Sequence, residues 1–176
     1  MSFEKNERGG WVVPAGTVVE DKIVPPFSEF GDWCRFGSDC DFGSDCKFGK
    51  GCELGSECQF GNWCEFGDGC QFVNGCEFGS DCLFGFGCEF GSGCEFGVGC
   101  KLGDGCVVEG VVLNKFMTLS NIDGSGRRLL IIWHDGGTII RAGCFVGSAE
   151  EFLEKAESEV KMRYVRVIKA ILEAEK

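Results

Sequence analysis

The sequence predicts a mostly β protein, a solenoid of short stacked strands followed by a small α+β unit. Three observations carry that reading. Cysteine recurs at every sixth position from Cys34 to Cys106 without a break. Apolar and polar residues alternate inside each repeat. After about residue 111 the pattern changes to hairpin turns and then to helical spacing. A fixed internal period is read before local propensity, because it marks stacked units that bury one continuous core.

The repeat unit is Cys-x-Phe-Gly-x-x. Its third position holds Phe30, Phe36, Phe42, Phe48, Leu54, Phe60, Phe66, Phe72, Phe78, Phe84, Phe90, Phe96, Leu102 and Val108, so it is always apolar. Two residues apart in an extended chain, cysteine and the apolar residue share one face, and the residue between them points the other way. That residue is mostly charged or Gln, as in Arg35, Asp41, Lys47, Glu53, Gln59, Glu77 and Glu95. Glycine after the Phe permits a corner, through positive φ or close backbone approach, and pairs such as Ser-Asp and Asp-Gly have turn chemistry.

With these residues in view, the chain resembles the hexapeptide-repeat family. The resemblance covers fourteen units from Ser28 to about Val111, with Val73 and Glu109 replacing the glycine. It implies a left-handed parallel β-helix in which three hexapeptides make one triangular coil, giving four to five coils. Two departures stand out: Phe fills the large position and Cys the small one. At a period of eighteen, Cys34, Cys52, Cys70, Cys88 and Cys106 form one column and the other eight lattice cysteines form two more. In-register parallel strands aim neighbouring Cβ atoms the same way, which suits a disulfide poorly. Zinc sites use closer cysteine pairs, and a catalytic thiol needs access and a base. Buried cysteine beside aromatic rings acts as a small hydrophobe, so the thiols are expected in the core, with no metal and no cofactor. Cys144, outside the lattice, is expected to pack as well.

Residues 1–27 hold all three prolines and are expected to form an irregular N-terminal cap, ahead of a β-helix over 28–111 and an α+β domain over 112–176. In the last part "FMTLSNI", "RRLLIIWH" and "TIIRAGCF" predict three antiparallel strands joined by "DGSG" and "DGG" turns. Ser148 with Glu151 forms a capping box that opens a long C-terminal helix to about Ala174. Phe152, Ala156, Val160, Tyr164, Val167, Ile168 and Ile171 give that helix one apolar stripe, to pack on the sheet or to pair with a copy in a homo-oligomer, a dimer or trimer. The stretch "IIRAGCFVGSAEEF" is similar to segments of bacteriophage proteins.

The net charge of −11 is concentrated in the repeats, where residues 28–111 hold fifteen acids against four bases. Such a surface repels nucleic acid and lipid headgroups and favours a basic protein surface. The face holding Asp41, Gln59, Glu77 and Glu95, with corners at Asp39 and Glu57 and at Asp45 and Asp81, carries seven acids. Arg35, Lys47, Lys50 and Lys101 fall elsewhere. Carboxylates repeated about every 5 Å approach the linear charge of a phosphate backbone, in which about 1.7 Å separates charges. A rod of this kind can fill the basic groove of a nucleic-acid-binding protein, as pentapeptide-repeat proteins that resemble DNA do, or it can serve solubility alone. Trp33, Trp63 and Phe86 interrupt the corners as candidate interface aromatics.

The expected function is therefore non-enzymatic protein binding, in the manner of a phage-encoded inhibitor of a host nucleic-acid-binding or defence protein. The start of the chain shows no apolar leader, which predicts the cytoplasm of the bacterial host. The alternative is a hexapeptide-repeat acyltransferase. Such enzymes use a histidine base, and the one histidine, His134, lies at a predicted hairpin. The related carbonic anhydrases need three histidine ligands and are excluded. The outward Thr ladders of an ice binder are missing.

Overall fold

The computed structural model describes residues 3–124 and 128–175. The chain divides into two compact units, residues 1–113 and 114–176. The first is a three-sided parallel β-solenoid. Its first face stacks Trp11–Val13, Glu29–Phe30, Lys47–Phe48, Glu65–Phe66, Leu83–Phe84 and Lys101–Leu102. Its second face stacks Val18–Val19, Arg35–Phe36, Glu53–Leu54, Gln71–Phe72, Glu89–Phe90 and Val107–Val108. Its third face stacks Ile23–Val24, Asp41–Phe42, Gln59–Phe60, Glu77–Phe78 and Glu95–Phe96. These make five full coils and two sides of a sixth.

The solenoid thus begins at Trp11, where the sequence predicts an irregular cap. Val13, Val19 and Val24 are buried at the apolar position, but Val13 and Val19 pair seventeen residues ahead, with Phe30 and Phe36, and only Val24 pairs eighteen ahead, with Phe42. One residue is missing from that coil, which hides it from a strict period. One strand at each end is covered by an antiparallel addition: Glu4–Lys5 pairs with Trp11–Val13, and Val111–Val112 folds back on Val107–Val108, so each masks the backbone edge of one side of its terminal coil.

The interior is a lattice of rings. Within a column Phe42, Phe60, Phe78 and Phe96 stack at centroid distances of 4.7, 4.9 and 5.3 Å, and Phe30, Phe48, Phe66 and Phe84 at 4.9, 4.6 and 4.8 Å. Between columns the same rings meet edge to face, as Phe72 and Phe78 do at 4.9 Å and 89°. Both geometries suit the ring quadrupole, and each pair contributes about 0.5–1.5 kcal/mol beyond area burial.

The thirteen lattice cysteines are free, and all are buried except the half-buried Cys100. They sit at the corners, and each from Cys52 to Cys106 donates to a carbonyl twenty-one residues back: Cys70 to Gly49 at 3.3 Å and Cys88 to Gly67 at 3.3 Å are typical. Burial raises the Cys34 thiol and pushes Cys40 up to about 11. Hydrogen bonds with the thiols above and below, and then burial, hold Cys64, Cys70 and Cys76 higher still.

The glycines divide the corner's work differently from the sequence reading. The glycine after each Phe keeps negative φ; what it supplies is space. A Cβ on Gly61 would lie 2.5 Å from the Ser44 amide nitrogen, and one on Gly97 would lie 2.4 Å from the Gly79 carbonyl. Positive φ falls two residues later, just before each cysteine, at Gly51, Gly69 and Gly87 and equally at Trp33, Asp39, Asp45, Glu57, Trp63 and Asp81.

The second unit has four antiparallel strands rather than three: Lys115–Ser120, Arg128–His134, Gly137–Ala142 and Phe145–Ser148, in that spatial order. The predicted "DGSG" turn lies partly outside the described residues. The capping box is present, with Ser148 Oγ accepting from the Glu151 amide at 3.1 Å and Glu151 Oε2 from the Ser148 amide at 2.8 Å. The single long helix is two, α1 (Ala149–Ser158) and α2 (Met162–Ala174). The chain breaks at Val160, which has φ of +57° and is 78% exposed, so it leaves the apolar stripe. Phe152, Ala156, Tyr164, Val165 and Ile168 pack on Leu129, Ile131 and Ile140. Cys144 is exposed at the hairpin turn, contrary to the expectation that it packs. No helix among the described residues is long and apolar enough to cross a membrane.

Two outcomes test this interior. Gly97→Ala puts a methyl into backbone and is expected to cost more than about 2 kcal/mol. Gly69→Ala meets open space and carries only the left-handed penalty of about 1 kcal/mol; urea titration separates the two. The raised thiols stay protonated when folded, whereas the unfolded chain releases those protons above the ordinary value of 9.0. The stabilisation that Cys34 and Cys40 contribute is therefore present below about pH 9 and lost as pH climbs toward about 11, so Cys40→Ala should flatten the fall in melting temperature across that range.

Candidate functional site

The third face is the candidate site. Asp41, Gln59, Glu77 and Glu95 are in register on successive coils, about 4.8 Å apart as adjacent strands are. Their side chains point outward because the apolar residues beside them, Phe42 to Phe96, point in. At the corner before this face stand Asp39 and Glu57, and at the corner after it Asp45 and Asp81. The structure gathers Asp39, Asp41, Glu57 and Glu77 around one shallow groove of about 380 Å³, with Gln59 and Gly75 also lining it. The absent side chain at Gly75 leaves room for the Glu57 carboxylate, whose Oε1 would lie 2.3 Å from a Cβ there. Gly99 makes the same room for Asp81.

The other two faces handle charge differently. On the second face Arg35 grips Glu53 with two contacts of 3.2 Å, from Nε and Nη2. On the first face Lys47 reaches Glu65 at 3.8 Å. At the corner between them Lys50 meets Asp68 at 3.2 Å. The Lys50 ammonium and then the Phe86 amide hold the Asp68 carboxyl below its ordinary value. Charges of opposite sign are thus stacked on one another where the coils bring them close. Along the strand positions of the third face, Glu77 stacks directly on Glu95, with no cation in the ladder.

A cation does reach the edge of this face. Lys22, in the coil that the sequence reading left as a cap, is 3.4 Å from Asp39. The sequence reading of an edge without a base overlooks Lys22, one coil before the repeats. Lys22 lies eighteen residues before Cys40, and it becomes visible once Val13, Val19 and Val24 are read as the apolar positions of a coil.

The aromatic candidates separate. Trp63 stands in the same corner column as Asp45 and Asp81, between them, and is 55% exposed. Trp33 and Phe86, 65% and 64% exposed, stand at the corner between the first and second faces, with the Trp33 ring lying over Gly51. Trp63 also has φ of +57°. A bulky residue held in the left-handed region, in a corner column that also holds Asp45, Asp81 and Gly99, is strained without contributing to the core.

His134 lies in the second unit, on the strand Arg128–His134, where its Nδ1 accepts from the Gly136 amide at 3.1 Å. Among the described residues no group of three or more His, Cys, Asp or Glu is placed to hold a metal ion. Comparison with known proteins finds no matching protein family, no matching curated sequence and no matching solved structure.

The electrostatic contrast between faces is measurable. Neutralising one member of a like-charge ladder removes repulsion, so Glu77→Gln should raise the melting temperature at low salt by about 1–2 °C. Lys47→Gln on the compensated face should lower it by a similar amount. Both shifts should shrink in molar salt, where screening acts within about 3 Å.

Proposed function

We propose that the solenoid is a non-enzymatic binding rod whose third face docks on a basic protein surface. One observation carries the reading: ion pairs link coil to coil on the other two faces, at Arg35–Glu53 and Lys47–Glu65, whereas the strand positions of the third face, Asp41, Gln59, Glu77 and Glu95, include no cation. A face that serves solubility alone gains nothing from stacking like charges, each neighbouring pair of which costs about 0.8 kcal/mol even in water. A basic partner reverses that sign. The strained, exposed Trp63 in the corner column of Asp45 and Asp81 supports the same reading, because exposed tryptophan is enriched at interfaces, where it supplies much of the binding energy.

The partner class that fits a stiff ladder of carboxylates is a protein that otherwise holds a phosphate backbone, and the setting is that of a phage-encoded inhibitor of such a host protein. The six-residue unit of small, variable, large and glycine positions, wound three to a coil, supports membership of the hexapeptide-repeat class of left-handed β-helices. Buried free thiols suit a reducing cytoplasm. Assembly as a dimer or trimer would multiply the acidic faces and their avidity.

The test is the triple variant Asp41→Lys, Glu77→Lys, Glu95→Lys. Immobilised wild-type protein is expected to retain nucleic-acid-binding host proteins at low salt and to release them at high salt. The variant should lose them while melting within about 4 °C of wild type, since exposed substitutions stay within about 0.5 kcal/mol each. Capture of the same proteins by both would overturn the proposal.

A further inference from the structure

The second unit contains a cavity that the binding rod does not use. It measures about 420 Å³, within the range of small-molecule sites, and lies beside the hairpin turn at Gly143 and Cys144. Its floor is aromatic. Phe145 and Phe152 meet at 5.4 Å and 64°, and Phe152 and Tyr164 at 6.1 Å and 69°. Its rim is basic, with Arg128, Lys155 and Lys161 against the single carboxylate of Glu159.

Two features equip this cavity for an occupant. The Tyr164 ring is buried, 6% exposed overall, while its hydroxyl is not among the buried polar atoms that lack a partner and so opens to solvent at the cavity, where it is available to a bound group. Lys161 is paired with Glu159, whereas Lys155 has no carboxylate partner among the described residues and lies 5.4 Å from the Phe145 ring centroid. The break at Val160 puts these groups together, because it ends α1 after Lys155 and starts α2 at the cavity. The start of α2 has no side-chain cap and no acid in its first turn, which adds positive potential on the same side.

We propose that this cavity binds a small organic anion, a carboxylate or phosphate carried on a flat apolar body. The body lies on Phe145 and Phe152, the Tyr164 hydroxyl donates to the anion, and Lys155 supplies the opposing charge. The proposal is independent of the acidic face, since every residue it uses belongs to the second unit.

The experiment titrates the full-length ¹⁵N-labelled chain with phenyl phosphate, with benzoate and, as a control of similar shape and opposite charge, with benzylamine. Saturable amide shifts are expected for residues 142–145, 152–156 and 161–164 with one or both anions, and none with benzylamine. Which anion binds more tightly distinguishes a phosphate from a carboxylate site. Lys155→Gln should weaken binding about tenfold, the effect of one charged contact of about 1.4 kcal/mol. Tyr164→Phe should weaken it severalfold and leave the melting temperature unchanged, because the hydroxyl it removes has no bond to lose. The absence of saturable shifts, equal binding of benzylamine, or unaltered affinity in both variants would overturn the proposal.

Discussion

The spacing of the coils, close to 4.8 Å, is the constraint on which the rest of the structure depends. Because the strands are parallel and in register, every side chain sits on its own counterpart one coil away. What a residue does is therefore decided by whether it stacks well on itself. Phenylalanine does: 4.6–5.3 Å is a comfortable ring-on-ring distance, and rings of neighbouring columns meet edge to face, as Phe66 and Phe72 do at 86°. Glycine after the Phe does, because at most coils, Gly43, Gly61 and Gly97 among them, a Cβ would run into the backbone one coil back. Cysteine does, since a thiol is small, tolerates apolar surroundings and can still donate to a corner carbonyl.

Charge is the property that stacks badly on itself, and the surface shows the molecule's responses. On the first face Lys47 lies between Glu29 and Glu65 and pairs with Glu65, and on the second Arg35 pairs with Glu53. Exposed pairs of this kind contribute no more than about 1 kcal/mol each; their value is to remove repulsion that the fold would otherwise impose. The corners use polar side chains in the same spirit. Asp32, Ser38, Ser44, Asn62, Asp68 and Asn74 each accept from the backbone amide one coil on, at 2.7–3.1 Å. The third face departs from this economy, and Trp63 beside it departs from the glycine or acid that its corner position otherwise holds. Two local departures side by side, in a structure otherwise so consistent, are the physical basis for placing the interaction there.

Much of the solenoid was legible because periodicity of two inside a period of six leaves only one face for the apolar residues. The columns Cys34 to Cys106 and Asp41 to Glu95 follow by arithmetic once three units make a coil. What was not legible has definite causes. The first coil has no Cys, carries Val instead of Phe at its inward strand positions and is one residue short, so Val13, Val19 and Val24 fall out of phase and Lys22 goes unnoticed. The left-handed residue was placed at the wrong corner glycine because sequence alone cannot tell a glycine needed for φ from one needed for space. In the second unit, "FVGS" is too short to show alternation and was absorbed into the preceding strand. Val160 fits the helical stripe by spacing, and the break there rests on no glycine or proline. The cavity at Tyr164 depends on that break, so no pattern in the sequence announces it.

The central claim is that thiol and ring face one dry, stacked interior. Timed alkylation with iodoacetamide, read by intact mass and peptide mapping, tests it most directly. In the folded protein Cys144 should react at once, half-buried Cys100 more slowly, and the remaining twelve only after denaturant unfolds the coils. Rapid labelling of Cys52, Cys70 or Cys88 in the native protein would contradict the account.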